Sequence, residues 1–184
     1  YVATRAGVFS DMYARESFRI AYAVLPASYA GHREVRLRMH LASTMAGIAF
    51  SHAGLGVCHA ISHSLGGMFH VTHGRLNAVL LPAVLSCNSN AALHRYAELA
   101  RAAGMAGSAD AVAVRNLKNG LLRLRRELGL PETLTQAGIP PQKIREELPR
   151  IVEAVLEDPC IETNPIPVEE FVIRRILEEA GGRG

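Results

Sequence analysis

Three histidines are the side chains in this sequence whose types and spacing could do chemistry. His59 and His63 are four residues apart, and His73 follows beyond the glycine pair Gly66-Gly67. They belong to a denser set: five of the eight histidines, His52, His59, His63, His70 and His73, fall in one short stretch. From Met39 to His94 the chain is largely apolar, and Arg75 is its one formally charged residue. On a helix, imidazoles at i and i+4 share a face one turn apart. A hairpin through the glycines could bring these rings and a ring at the start of the next helix toward one point. Neutral imidazole suits zinc, iron, copper and nickel, and it also handles protons near neutrality. An ion held by histidines alone in an apolar core would keep its full charge, so a carboxylate ligand is expected. Met39–His94 contains none, and the acid must come from elsewhere in this chain or from outside it. The expectation is a buried site that binds metal or moves protons.

The elements that would position these rings read as helices throughout. Ser10 and the acids after it mark a helix start, with Phe18, Ala21, Tyr22 and Leu25 at helical spacing and Pro26 near its end. A second helix starts at Glu34 and carries Leu37, Leu41, Met45, Ile48 and Ala49 on one side. The histidine helix runs from Val57 to about Leu65, with Gly66-Gly67 as its stop, and another begins at His73-Gly74 and is kinked by Pro82. Cys87–Asn90 reads as a loop. Helices follow through Leu93–Ala100, through a leucine stripe from Val114 to Leu128 with an arginine-rich solvated face, and from Pro140-Pro141 to Val155. The last runs from Val168 to Ala180. Tyr1–Thr4 reads as the tail of a helix already under way. No repeat and no strand pattern of useful length is present. The fold expected is all-α, about eight helices in a single domain.

Bulk properties narrow the function classes. The 184 residues suffice for one domain with a sizeable core. Hydrophobic residues make up 49 % and charged ones 20 %, with a net charge of +3, so the sequence pI near 9.0 reflects scattered arginines rather than a basic stripe. Nucleic-acid binding is not indicated. Three widely spaced cysteines, Cys58, Cys87 and Cys160, argue against a disulfide framework and for a cytoplasmic setting. No window offers the clean apolar run a membrane helix needs, and no signal peptide is visible. The chain begins at Tyr1 and reads as a piece of a longer protein.

These residues also carry a resemblance. The run from Phe50 to Pro82, FSHAGLGVCHAISHSLGGMFHVTHGRLNAVLLP, and the loop DPCIETNP from Asp158 to Pro165 are similar to the signature of the iron-containing (group III) alcohol dehydrogenases. The likeness covers essentially residues 1–184. It implies the family's C-terminal helical domain, of the dehydroquinate synthase-like alpha type, with an N-terminal α/β nucleotide-binding domain lying upstream. By the same resemblance, His59 and His73 are ligands of a catalytic Fe(II), or of zinc or another divalent metal. His63 lies beside the nicotinamide of NAD or NADP and assists proton transfer, while Phe50 and Cys160 line the substrate pocket. The family's remaining ligands, an aspartate and a histidine four residues apart, would stand just before Tyr1, which agrees with the carboxylate found missing above.

The implied activity is interconversion of a small alcohol and its aldehyde by hydride transfer, in a homo-oligomer whose helical domain works against its own N-terminal domain. Alternatives are a same-superfamily enzyme of other specificity, such as a glycerol dehydrogenase or maleylacetate reductase, or a non-catalytic helical metal-binding module. Cys160 reads as a pocket-wall thiol, since no basic partner adjoins it. Phe50 is expected in the core. His52 stands where the family usually has asparagine, Thr72 where proline is common, and His70 has no assigned role. His32, His40 and His94 read as ordinary helix or loop residues.

Overall fold

The computed structural model describes residues 1–182 and is helical throughout, with no strand among them. Its α-helices are α1 (Val8–Tyr29), α2 (Arg33–Ala53), α3 (Val57–Phe69), α4 (His73–Asn88), α5 (Leu93–Ala102), α6 (Asp110–Glu127), α7 (Pro141–Glu157) and α8 (Glu170–Gly181), with a 3-10 helix at Pro159–Thr163. They divide between two compact units. Tyr1–Gly54 with Ser89–Leu128 contains α1, α2, α5 and α6; Leu55–Asn88 with the segment from Gly129 onward contains α3, α4, α7, the 3-10 helix and α8. Among the described residues no single helix is long and apolar enough to cross a membrane.

In the first unit, α1 and α2 form a long hairpin that meets through small side chains. α1 buries Ser10, Ser17 and Val24, and α2 buries Ala42, Ala49 and Ala53. The Ser17 hydroxyl donates to the Ala42 carbonyl at 2.7 Å, as close backbone approach allows. This overturns the expected α2 stripe: the small residues face inward, while Leu37 and Leu41 are exposed. Phe50, expected in the core, is 46 % exposed for the same reason.

α1 starts at Val8 rather than Ser10, because the Ser10 hydroxyl folds back to accept from the Gly7 amide and donate to its carbonyl, both at 2.9 Å. Residues 1–7 are not helical. Pro26 lies inside the helix; so near the end it removes one intrahelical bond, and the Ala30 amide closes the last turn on Pro26 O at 2.9 Å. The N-terminal residue is tied in by Arg95, which packs over the Tyr1 ring at 4.1 Å and pairs with Asp11 at 2.5 Å. α6 buries Ala113, Val114, Leu117 and Gly120. At Gly120 a Cβ would stand 2.7 Å from the Tyr22 hydroxyl, so α6 packs close to α1 there and a larger residue would have to displace that side chain. Arg125, placed on the solvated face by the sequence, is buried.

The second unit holds the larger apolar core. Val57, Ala60, Ile61 and Leu65 of α3 join Leu76, Val79 and Leu80 of α4, Ile151 and Val155 of α7, and Ile173 and Ile176 of α8 in one cluster. α3 outlasts its expected stop. Gly66 and Gly67 stay helical, and a Cβ on Gly66 would lie 3.3 Å from the Val71 carbonyl, so that glycine serves a close approach rather than a break. The helix ends at His70, which takes the left-handed conformation at φ 57°. α4 runs through Pro82 to Asn88, so Cys87 is helical rather than looped.

The loop after α7 is stapled to the head of α3 by side-chain hydrogen bonds. Buried Asn164 accepts from the Val57 amide at 3.3 Å, satisfying one of the orphan donors of a helix start. It also exchanges a pair of 3.1 Å bonds with the Asn88 amide and donates to the Ile166 carbonyl at 2.9 Å. The Thr163 hydroxyl donates to the Leu55 carbonyl at 2.8 Å. Gly56 is pressed against this staple, for a Cβ there would meet Asn164 Oδ1 at 3.0 Å.

Candidate metal centre

The imidazoles singled out in the sequence converge on the second unit. The i, i+4 pair on α3 sets the His59 and His63 rings 6.2 Å apart, and the start of α4 brings His73 to 5.1 Å from His59 and 5.0 Å from His63. α3 turns Ala60, Ile61, Ser64 and Leu65 into the core, so the histidine face lies on its flank. His59 is half-buried, whereas His63 and His73 are exposed, so the site opens at the surface of this unit instead of lying in its core.

Ring orientation separates the three. A histidine nitrogen sits about 2.1 Å from zinc, which puts its ring centroid about 3.2 Å from the ion. Two such rings at a tetrahedral angle would then be about 5 Å apart. His59 and His73 are 5.1 Å apart with planes inclined at 47°. His63 and His73 are stacked at 19°, and near-parallel stacked rings cannot both aim an in-plane lone pair at one ion. The donor chemistry agrees. Burial, with His73 and His63 beside it, pushes the His59 pKa down to about 4, which keeps it in the neutral form a metal requires. His59 and His73 thus fit two positions of a divalent ion's shell.

Hydrogen bonds fix the flanking rings. Asn77, one turn after His73, donates to His73 Nε2 at 2.8 Å. Its own carbonyl oxygen accepts from the Ser62 hydroxyl at 2.6 Å and from the Cys58 thiol at 3.6 Å, which sets the amide's direction. Asn77 therefore holds the lone pair that a cation at His73 Nε2 would take. His63 Nδ1 lies 2.7 Å from Asp158 Oδ2, and Asp158 Oδ1 accepts from the Cys160 amide at 2.8 Å. Burial alone would raise the Asp158 pKa, but the bonds from His63 and Cys160 hold it below the usual carboxylate value. Ligand atoms of His63, Asp158 and Cys160 all lie within 4.8 Å of one another, and the hydrogen bonds just named satisfy the His63–Asp158 pair without a cation.

Of the residues expected to line a pocket, Cys160 stands beside Asp158 in the second unit. Burial, then Asp158, pushes its thiol up to about 11, which fits a wall residue rather than a nucleophile. Phe50 lies on α2 in the first unit, as does His52. His32 and His94 pair with Glu34 at 3.1 Å and Asp110 at 3.0 Å.

Sequence reasoning missed Asp158 and Asn77. Asn77 carried a signal, being four residues after His73 on a helix start. Asp158 had half of one: an Asp before Pro159 suggests a helix cap, but nothing local ties it to a ring 95 positions away.

Known proteins resemble this chain over nearly its whole length. It is 36 % identical over 178 residues to an NADPH-dependent butanol dehydrogenase of Clostridium saccharobutylicum, covering 97 % of this chain and 46 % of that relative. To a 1-propanol dehydrogenase of Salmonella typhimurium it is 38 % identical over 185 residues, covering 97 % and 50 %. Among solved structures, an alcohol dehydrogenase from Oenococcus oeni superposes with a TM-score of 0.91 at 30 % identity, and a 1,3-propanediol oxidoreductase with 0.90 at 30 %; each comparison covers 98 % of this chain and 47 % of the other. The chain thus spans about half the length of these relatives. Residues 1–181 match the model for the C-terminal part of the Fe-containing alcohol dehydrogenase family, and the chain belongs to that family.

Proposed function

We propose that this chain is the metal-holding part of an NAD(P)-dependent alcohol dehydrogenase that interconverts small primary alcohols and their aldehydes. The observation that carries the reading is the His59–His73 pair, 5.1 Å apart, with His59 held neutral. The relatives named as butanol and 1-propanol dehydrogenases support the substrate class. Iron(II), or zinc in its place, would be held by His59 and His73 with ligands outside this chain, and would supply Lewis acidity toward the alcohol oxygen.

The chain's own residues do the rest. His59 offers a lone pair that burial keeps free of a proton. Asn77 orients the His73 ring by its bond to Nε2 and must release that nitrogen for ligation. His63 moves a proton beside the nicotinamide, because its Nδ1 is engaged by Asp158 and Nε2 remains for exchange. Cys160, a protonated thiol at neutral pH, lines the pocket without competing as a nucleophile. The enzyme works as a cytoplasmic homo-oligomer.

The test uses the full-length protein. His59→Ala and His73→Ala are each expected to lower bound metal, measured by elemental analysis, from about one ion per chain to near zero, and to abolish reduction of nicotinamide by 1-propanol or 1-butanol. Turnover that survives in metal-stripped His59→Ala overturns the proposal. A panel including glycerol and maleylacetate decides between this reading and another specificity in the same superfamily.

A further inference from the structure

His63 is exposed and Asp158 is mostly buried, with side chains 46 % and 14 % accessible. An exposed imidazole on a helix flank ordinarily samples several rotamers and both neutral tautomers. Here one ring nitrogen meets a carboxylate that is itself held from behind. Asp158 Oδ1 is spent on the Cys160 amide at 2.8 Å, which leaves Oδ2 for His63 Nδ1 at 2.7 Å. The loop bearing Asp158 is tied down, since Thr163 and Asn164 of the same segment are bonded to Leu55 and Val57 at the head of the histidine helix. An ionised carboxylate only accepts hydrogen bonds. The hydrogen between the two groups therefore belongs to His63 Nδ1, and in the neutral ring Nε2 carries the lone pair.

We propose that Asp158 is a positioning residue for His63, fixing its ring orientation and its Nδ1–H tautomer so that Nε2 stays the acceptor. The inference deepens the reading of His63 as the proton-transfer residue and rests on it for its catalytic meaning. Its structural content stands on the Asp158 geometry alone. The same logic operates where a buried carboxylate sets the tautomer of a catalytic histidine and is not itself protonated. Asp158 acts at one remove: it touches His63 and the Cys160 amide.

The experiment uses the full-length protein with ring-15N histidine, observed without metal at a pH where His63 is neutral. The His63 signals are identified by their loss in His63→Gln. The wild-type protein is expected to show a protonated Nδ1 and an unprotonated Nε2. Asp158→Asn keeps an oxygen for the Cys160 amide while its NH2 can turn to the ring, so the tautomer is expected to invert to Nε2–H. In metal-loaded enzyme, kcat for 1-propanol is then expected to fall about 100-fold, the low end of what general acid–base catalysis contributes, with KM for the nucleotide changed less than about twofold. Asp158→Glu, which retains an accepting carboxylate, is expected to restore the wild-type tautomer and part of the lost kcat. An unchanged tautomer in Asp158→Asn overturns the proposal, whereas an inverted tautomer with full kcat upholds the positioning of the ring and defeats the proton-transfer reading of His63. Undiminished kcat in His63→Gln defeats the proton-transfer reading of His63, while the ring spectrum still decides whether Asp158 orients it.

Discussion

Removing the Asn164 side chain should loosen the whole candidate site from a position that does not belong to it. Asn164 is 5 % exposed and Asn88, its amide partner, 2 %. Asn164→Ala deletes the acceptor of the Val57 amide, both bonds to Asn88 and the donor to the Ile166 carbonyl. A typical buried hydrogen bond contributes about 1 kcal/mol net, and a buried polar group left without a partner costs about 1–3 kcal/mol. The stranded Asn88 amide dominates, so the expected destabilisation is about 3–5 kcal/mol. For a chain of this size that corresponds to roughly 6–20 °C in Tm.

Urea unfolding gives the stability, and hydrogen exchange at the Val57 amide gives the local consequence, because that amide loses its one side-chain acceptor. Adding Asn88→Ala should recover part of the loss, with a coupling of about 1–3 kcal/mol in the double-mutant cycle. A cost under about 1 kcal/mol with unchanged Val57 protection would refute the idea that this amide pair staples the loop to α3.

Two further outcomes follow from single residues. His70 ends α3 at φ 57°, a conformation that penalises a Cβ by roughly 1 kcal/mol, so His70→Gly should raise Tm by about 2–4 °C; no change or a loss would mean that His70 has contacts offsetting the strain. The His59 pKa lies near 4 in the folded metal-free chain, against 6.5 unfolded. The unfolded state therefore binds more protons in between, and stability should fall as pH drops from 6.5 toward 4 and level off below. His59 is partly exposed, so solvent screening limits the effect to about 1–2 kcal/mol. His59→Gln should flatten that segment of the urea midpoint against pH, and an identical slope in the variant would contradict the assignment.

The all-helical architecture was legible because it depends on local patterns. Periodic apolar residues, Pro141 at the start of α7 and the i, i+4 histidines of α3 each act within a few turns. Misreadings arose where local rules have two outcomes. Gly66-Gly67 can stop a helix or let a neighbour approach, and packing against Val71 decided for approach. The apolar stripe through Leu37 and Leu41 has the spacing of a core face, but the α1 hairpin closes on Ala42, Ala49 and Ala53 because small residues let backbones come near. Arg125 is buried although its helix face reads as solvated.

By itself the sequence determined that His59 and His63 share a helix face and that His73 opens the helix after a tight connection, since 3.6-residue periodicity and helix starts are encoded in adjacent residues. It also determined that no carboxylate lies in that stretch. Only the tertiary structure decided which acid reaches the rings and which ring stands apart. Asp158 meets His63 across 95 positions because Asn164 and Thr163 bind its loop to the head of α3. The stacking of His63 on His73 follows from how α3 and α4 pack. Contacts so distant in sequence are set by the closing of a shared core, and no local pattern carries them.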